Sequence, residues 1–448
     1  MGQRFVHFVN NFSEHFQSYR HDVSEGARQY LSGLMQGGQR KNMQHMAEVV
    51  PEADARNLQQ FLTHSKWDAR AVMDQVAQEA NELLGDEQKA CLLLDESAFP
   101  KQGKKSVGVA RQWLGRLGKV DNGQVGVFGA LCRDTLATPV AARLYLPKEW
   151  TDDPARCAEA GIPEKERVFR TKDELAWEIV GQARQQGLKF GWVSADAGYG
   201  KSPETFYRLT EMQETFFIDV PSDFSVYLKS FPPESPKSGK LGRPAQHYRT
   251  REPKQEVRRL KVLADLTQGT VVTARDTTRG PLQLRAWRCV VYVWDPTRSA
   301  PLRLTLLVSE NLDGTDRKYT LTNAPERTSL TRLVSQQRQR YWVERVFEDA
   351  KGTCGMADYQ VQKWSSWHHH MALVMMAMFF MLSERVSQKE VSPLLSCADI
   401  EALLVHYLPR RDLEEAEVIR QLRVRHQLRE RAIRSHTKRA KKRKNKEV

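Results

Sequence analysis

Cysteine is scarce and scattered: six residues in 448, at positions 91, 132, 157, 289, 354 and 397, with no Cys-x-x-Cys pair. That spacing argues against a zinc ribbon and against a disulfide framework, and it predicts a reducing compartment. Long apolar runs are also lacking. The longest, Met371 to Leu382, has 12 residues, too few to span a bilayer and suited to a buried core helix. There is no secretory pattern at the N-terminus and no internal repeat. The expectation is a soluble, cytoplasmic protein with no membrane partner. A phosphate-binding loop is excluded as well. Gly200-Lys201-Ser202 lies between a strand and a helix, but that motif requires Gly at position 195, where the chain has Ala195.

Acidic charge is in deficit, with 55 Asp and Glu against 69 Lys and Arg, a net charge of +14. The excess is concentrated. From Arg423 to Val448 there are twelve Lys or Arg and two Glu, so ten of the fourteen net charges sit at one end. That tail reads either as a polyanion-binding segment or as a solvated extension with incidental charge. Hydrophobic residues make up 40% and charged residues 28%, a globular balance with length for two or three domains.

Residues 1–87 read as helical, with Val6, Phe8, Val9, Phe12 and Phe16 as one apolar stripe and Phe61, Trp67, Val72, Val76 and Leu83 as another. This module suits DNA binding or dimerisation. From residue 88 the period changes. Ala90 to Asp95 is a short apolar run ending in an acid, and Ser106 to Ala110, Gln124 to Cys132 and Thr138 to Leu146 read as further strands. Asp121-Asn122-Gly123 reads as a turn. Thr171-Lys-Asp-Glu174 has the form of a capping box opening a helix to about Gln186. Phe190 to Asp196 is a second strand ending in an acid, and Phe216 to Val220 is one more strand. The proline-rich, charged stretch 231–256 reads as a mobile surface loop. Strands at 269–274, 282–294 and 302–308 then suggest a β-rich insertion over 216–325, with Tyr319 to Asn323 returning to the main sheet. Thr328 to Lys351 reads as one helix, and helices continue through 326–420 to the basic tail, 421–448.

Two strands thus end in aspartate, Asp95 and Asp196, and Glu344 lies on a helix far downstream. Tyr341, Glu344, Glu348 and Lys351 recur at helical spacing and share a side. Taken singly, each Asp fits a turn or cap, and the helix fits a solvated face laced with salt bridges. Together the acids suit phosphodiester chemistry, in which carboxylates hold two Mg²⁺ ions at the attacked phosphate. Lys101, Lys104 and Lys105 follow the first acid closely enough to bind phosphates, or to be solvated loop residues. His368, His369 and His370 diverge by about 100° per residue on a helix and so cannot all face one ion; they read as a satisfied or DNA-facing cluster.

Five segments carry a resemblance: Leu94 to Lys104, Val107 to Gln112, Leu117 to Asn122, Ala195 to Gly200, and Tyr341 to Gly352. Together they resemble the DDE transposases of bacterial insertion sequences, in particular insertion sequence family 701, related to the insertion-sequence-4 group. The resemblance implies an α/β, RNase H-like catalytic core interrupted by the β-rich insertion. It implies Asp95, Asp196 and Glu344 as the catalytic, metal-binding triad, with Glu348 as the alternative to Glu344. It also implies two Mg²⁺ ions, replaceable by Mn²⁺, a homodimer on the bacterial nucleoid, and double-stranded DNA partners: terminal inverted repeats and target. The related group carries Tyr, Arg, Glu and Lys at fixed spacing near the last acid. Arg340, Glu344 and Lys351 fit that spacing and are implied DNA contacts; Gln337 stands at the Tyr position. The implied activity is metal-dependent cleavage and strand transfer. A nuclease that never joins, or an inactive regulator on the same scaffold, remains open.

Overall fold

A computed structural model describes the chain except residues 19–20, 37, 39, 237–246, 260–268 and 445–448. Five helices open it: α1 (Gly2–Asn11), α2 (Ser24–Met35), α3 (Met43–Val49), α4 (Ala55–His64) and α5 (Ala69–Leu84). Asn42, Asp54 and Asp68 cap α3, α4 and α5 by accepting from free backbone amides.

Ten strands then build one mixed sheet: β1 (Asp86–Pro100), β2 (Ala110–Leu114), β3 (Lys119–Arg133), β4 (Leu136–Leu144), β5 (Phe190–Ala195), β6 (Phe216–Asp219), β7 (Thr270–Thr277), β8 (Gly280–Val293), β9 (Leu302–Asn311) and β10 (Lys318–Thr322). Their order is β7-β8-β9-β10-β6-β5-β1-β3-β2, with β4 also paired to β3. β1, β5 and β6 run parallel, and every other pairing is antiparallel. The strands read as an insertion therefore continue the same sheet, since β10 pairs with β6.

Three local expectations are corrected. Ser106 to Ala110 is not a strand. Gly108 has φ +71°, which breaks extended backbone, and the Val107 carbonyl accepts from the Gln124 side chain instead. Asp121-Asn122-Gly123 lies within β3, and the turn falls earlier, where Gly118 has φ +60°. The Asn122 amide is used to hold the 101–103 loop by donating to the Lys101 and Gly103 carbonyls. Finally, 328–351 is two helices. Gln339, Trp342 and Val343 donate to carbonyls three residues back, a local tightening that separates them at Arg340.

The crossover helices are α6 (Lys148–Thr151), α7 (Pro154–Glu159), α8 (Lys172–Gln185) and α9 (Pro203–Glu211). α8 opens with the expected capping box between Thr171 and Glu174. The chain ends with α10 (Leu330–Arg338), α11 (Tyr341–Thr353), α12 (Trp364–Ser387), α13 (Cys397–Tyr407) and α14 (Glu415–Lys444). On β3, Gly129 leaves room for Ile179 of α8, while Phe128, on the opposite face, meets Phe347 of α11 and Trp367 of α12. The middle of the sheet is thus covered on both sides, as continuous buried runs such as Ala90–Leu94 require, while β7 and β8 alternate buried and exposed residues.

α12 is the hub of the helical layer. Among the described residues it is the one helix long and apolar enough to cross a membrane, yet 78% of its most apolar window is buried inside the protein. Phe5 and Phe8 of α1 pack on Phe379 and Phe380, and Arg4 grips Glu384 with two 2.7 Å hydrogen bonds. The histidine triplet lies here. The His370 ring pairs with the Tyr30 hydroxyl at 2.9 Å, His369 stacks on Trp67 at 4.0 Å between the Leu62 and Trp67 carbonyls, and His368 meets the Trp364 carbonyl. These are satisfied core residues.

Candidate active site

The parallel strands set the acids in a row. Leu94 pairs with Ala195 and Ala195 with Ile218, so the next residues stand side by side, Asp95 on β1, Asp219 on β6 and Asp196 just past the end of β5. Neighbouring strands lie about 4.8 Å apart. Each position follows a run of buried apolar residues that fixes the strand beneath it. The preceding side chains fill the core, and each acid interrupts its run; on β1 the strand continues past Asp95 into buried Ser97, Ala98 and Phe99.

One cation spans this row. Arg340, at the start of α11, lies 3.8 Å from Asp95, 3.5 Å from Asp219 and 2.7 Å from Glu344. Its guanidinium is largely buried, and the surrounding carboxylates outweigh that burial and hold it charged. Even so, the row is short of countercharge. Burial, and then the nearby charge of Asp196, push the Asp95 carboxyl up to about 7, against the pull of Arg340. Burial raises Asp219 as well, and Asp173 on α8 rises to about 6. Tyr199, just past Asp196, is 3% exposed, and its hydroxyl has no hydrogen-bond partner among the described residues. Burial and the adjoining acids keep that phenol protonated.

A buried acid row short of positive charge, beside an orphaned hydroxyl, suits a hard divalent cation by donor chemistry. The donors are not arranged around one point. Among the described residues no three His, Cys, Asp or Glu side chains are placed to hold a single ion. Asp95 and Asp196 are neighbours; Glu344 is half exposed and joined to them only through Arg340. Glu348 is exposed and pairs with Arg345 at 2.5 Å.

The remaining predicted residues spread outward. Lys351 lies against the Phe347 ring. Lys104 and Lys105 are exposed, whereas Lys101 turns inward, donating to the Tyr359 carbonyl at 2.9 Å and lying 3.5 Å over its ring. Burial lowers the Lys101 ammonium to about 8.

Asp219 was not among the predicted site residues. Its signal was present, because Phe216-Phe-Ile-Asp219 repeats the apolar-run-then-acid pattern of the other two strands. Nor was a role foreseen for Gln337. It is buried; its amide donates to Thr320 at 2.6 Å and accepts from Ser309, and Thr320 in turn donates to Asp219. The position where the related group has Tyr therefore anchors the acid that holds Arg340.

A family profile described as DDE superfamily endonuclease matches residues 11–281, which include all three aspartates of the row and end before Glu344. The probable transposase for insertion sequence element IS701 of Microchaete diplosiphon is 26% identical over 367 residues, covering 80% of this chain and 82% of that protein. Among solved structures, the NurA nuclease from Sulfolobus solfataricus matches at 9% identity and a TM-score of 0.26, over 72% of this chain and 93% of that one, which is too slight to argue from. With a profile spanning more than half its length and set over the acid row, the chain belongs to the DDE superfamily of endonucleases.

Proposed function

We propose that this protein is a DNA transposase that works by cut and paste. It would bind the terminal inverted repeats of its element as a homodimer in the bacterial cytoplasm, cleave at the element ends, and join the freed 3′ hydroxyls to target DNA. The observation that carries the reading is the row Asp95, Asp196, Asp219 under Arg340, in a chain whose relative is a probable transposase. The block β4-β3-β1-β5-β6, three antiparallel strands followed by two parallel ones, fits an RNase H-like core. On this reading 1–87 is a DNA-binding or dimerisation module, 88–215 and 326–420 are the two parts of the core, 216–325 is the insertion and 421–448 the tail.

Asp95, Asp196 and Glu344 would hold two Mg²⁺ ions, which when bound polarise the attacking oxygen and neutralise the leaving one. The protein's own share is electrostatic. Burial keeps Asp95 poised near neutrality, so its full charge is taken up only when countercharge arrives. Glu344 is spent on Arg340, so assembling the triad requires that ion pair to open. Opening it leaves the Arg340 guanidinium to face phosphate oxygens, anchored from behind by Asp219, Thr320 and Gln337.

The test is cleavage and strand transfer on a plasmid carrying the element ends, with Mg²⁺ or Mn²⁺ present. Asp95→Asn, Asp196→Asn and Glu344→Gln should each abolish both products. Activity surviving in one of them removes that residue from the triad. The family description favours one second reading, an endonuclease that cuts without joining; cleaved ends without joined products would establish it. Metal-independent DNA binding without cleavage would leave a regulator.

A further inference from the structure

Away from the acid row, two cavities of about 680 and 940 Å³ share Asn42, Asp358, Tyr359, Gln360 and Gln362 in their linings and so form one groove. Its walls come from four places: the 100–106 loop after β1, the start of α3 with one side of α4, the 357–363 segment leading into α12, and the middle of α14. Six exposed cations line it, Arg40, Arg56, Lys104, Lys105, Lys363 and Arg431. The one carboxylate in either lining is Asp358, which already accepts from the Lys41 amide at 2.8 Å and faces Lys101. An anion entering the groove therefore meets positive charge that is not cancelled locally.

We propose that this groove holds the DNA duplex leading away from the acid row, and that α4 presents the face that reads its bases. The inference rests on the DNA reading above and says where the duplex lies. Arg56, Gln59 and Thr63 line the groove together and recur at helical spacing along one side of α4. Arg and Gln are the side chains whose paired donors and acceptors match guanine and adenine edges. Arg56 sits in the first turn of α4, where a cation opposes the helix dipole, a local cost that a phosphate or base edge would offset. Pro100 borders the groove five residues beyond Asp95 on β1, or about 16 Å at strand rise. That is about half a turn of duplex. α14 is fixed as a wall by Arg425, which pairs with Glu48 of α3, and by Gln421, which donates to the Glu48 carbonyl.

The measurement is fluorescence anisotropy of a labelled 30-base-pair duplex with full-length protein in EDTA, across a salt series. Lys363→Ala and Arg431→Ala should each weaken binding about 3- to 10-fold and lower the salt slope by close to one. Lys389→Glu is the control. It lies past the far end of α12, a 24-residue helix about 36 Å long, from Lys363, and should leave both unchanged. Arg56→Ala with Gln59→Ala should flatten the base preferences that wild-type protein selects from a randomised duplex library, while the Lys363 variant keeps them. If wild-type protein binds and the groove variants match it in affinity and slope, or if Lys389→Glu weakens binding as much as they do, the groove assignment is wrong and the transposase reading stands. If wild-type protein binds no duplex, the transposase reading itself falls, and this inference with it.

Discussion

The acid row and the histidine triplet both bury titratable side chains, and they do so with opposite results. On α12, His370 and His369 sit among aromatic rings and backbone carbonyls, and burial drives His370 down to about 3 and His368 to about 4, so both stay neutral. A neutral imidazole with hydrogen-bond partners costs little to bury. In the row, acids on neighbouring strands face each other across one guanidinium, and Asp95 is pushed to about 7. The histidines are buried and satisfied, which is a structural arrangement. The acids are largely buried, and although each accepts a hydrogen bond, from the Glu96 and Gly198 amides and the Thr320 hydroxyl, they crowd like charges together, which costs stability until further positive charge arrives.

Substitution should separate the two regions. The largest effect belongs to the row: Asp95→Asn and Asp196→Asn should cost at least ~10³-fold in DNA cleavage, the scale on which removing a metal-holding or electrostatic group acts, with circular dichroism unchanged. Comparable turnover per folded molecule would break the contrast. In the triplet, His369→Ala removes the Trp67 stack and the link to the Leu62 carbonyl. It should cost about 2–4 kcal/mol in denaturant unfolding. Cleavage per folded molecule should stay within about twofold.

The same contrast fixes a pH profile. A carboxyl raised from 3.8 to about 7 binds its proton more tightly in the folded state, so its contribution is present below pH 3.8 and is lost as pH climbs towards 7. A buried imidazole lowered from 6.5 to about 3 contributes above pH 6.5 and loses that contribution as pH falls. The two windows overlap, so between about pH 4 and 6.5 the acid and the imidazole pull stability in opposite directions. In chemical unfolding from pH 4 to 8, Asp95→Asn should remove the falling contribution, so that stability rises more steeply with pH up to about 6.5 than in wild-type protein. A variant with the wild-type pH profile would show that Asp95 is solvated in solution.

How much of this was legible in the sequence follows from where each signal lives. Asp95 and Asp196 announced themselves because an apolar run that stops at an acid is a local pattern. Asp219 carries the same pattern, but its own strand falls within the stretch 216–325 that reads as an insertion; only the pairing of β6 with β5 puts it in the row. The resemblance supplied the roles of Glu344 and Arg340, and their helical spacing allows a salt bridge between them, but nothing local shows that Arg340 also faces Asp95 and Asp219. The Gln337–Thr320–Asp219 chain joins residues more than a hundred positions apart, and no spacing rule reaches that far. Of the turns, Gly118 was missed in favour of Asp121-Asn122-Gly123, because the Asn122 side chain serves a neighbouring loop rather than its own backbone.

The finest test of the contrast is Arg340, the cation that spans the row. Arg340→Ala removes the charge that opposes the rise in Asp95 and Asp219. Both carboxyls should then move higher, widening the interval in which the folded state holds extra protons, so the loss of stability between pH 4 and 8 becomes steeper than in wild-type protein. Glu344, deprived of its 2.7 Å partner, should change little on its own account, because an exposed ion pair contributes at most about 1 kcal/mol. Arg340→Lys keeps the charge but loses the planar fork that lies between Asp95, Asp219 and Glu344 at once. It should restore the wild-type pH slope only in part. Full restoration by lysine would mean that the row requires a positive charge and nothing more, and that the anchoring of the guanidinium by Asp219 and Gln337 has no consequence.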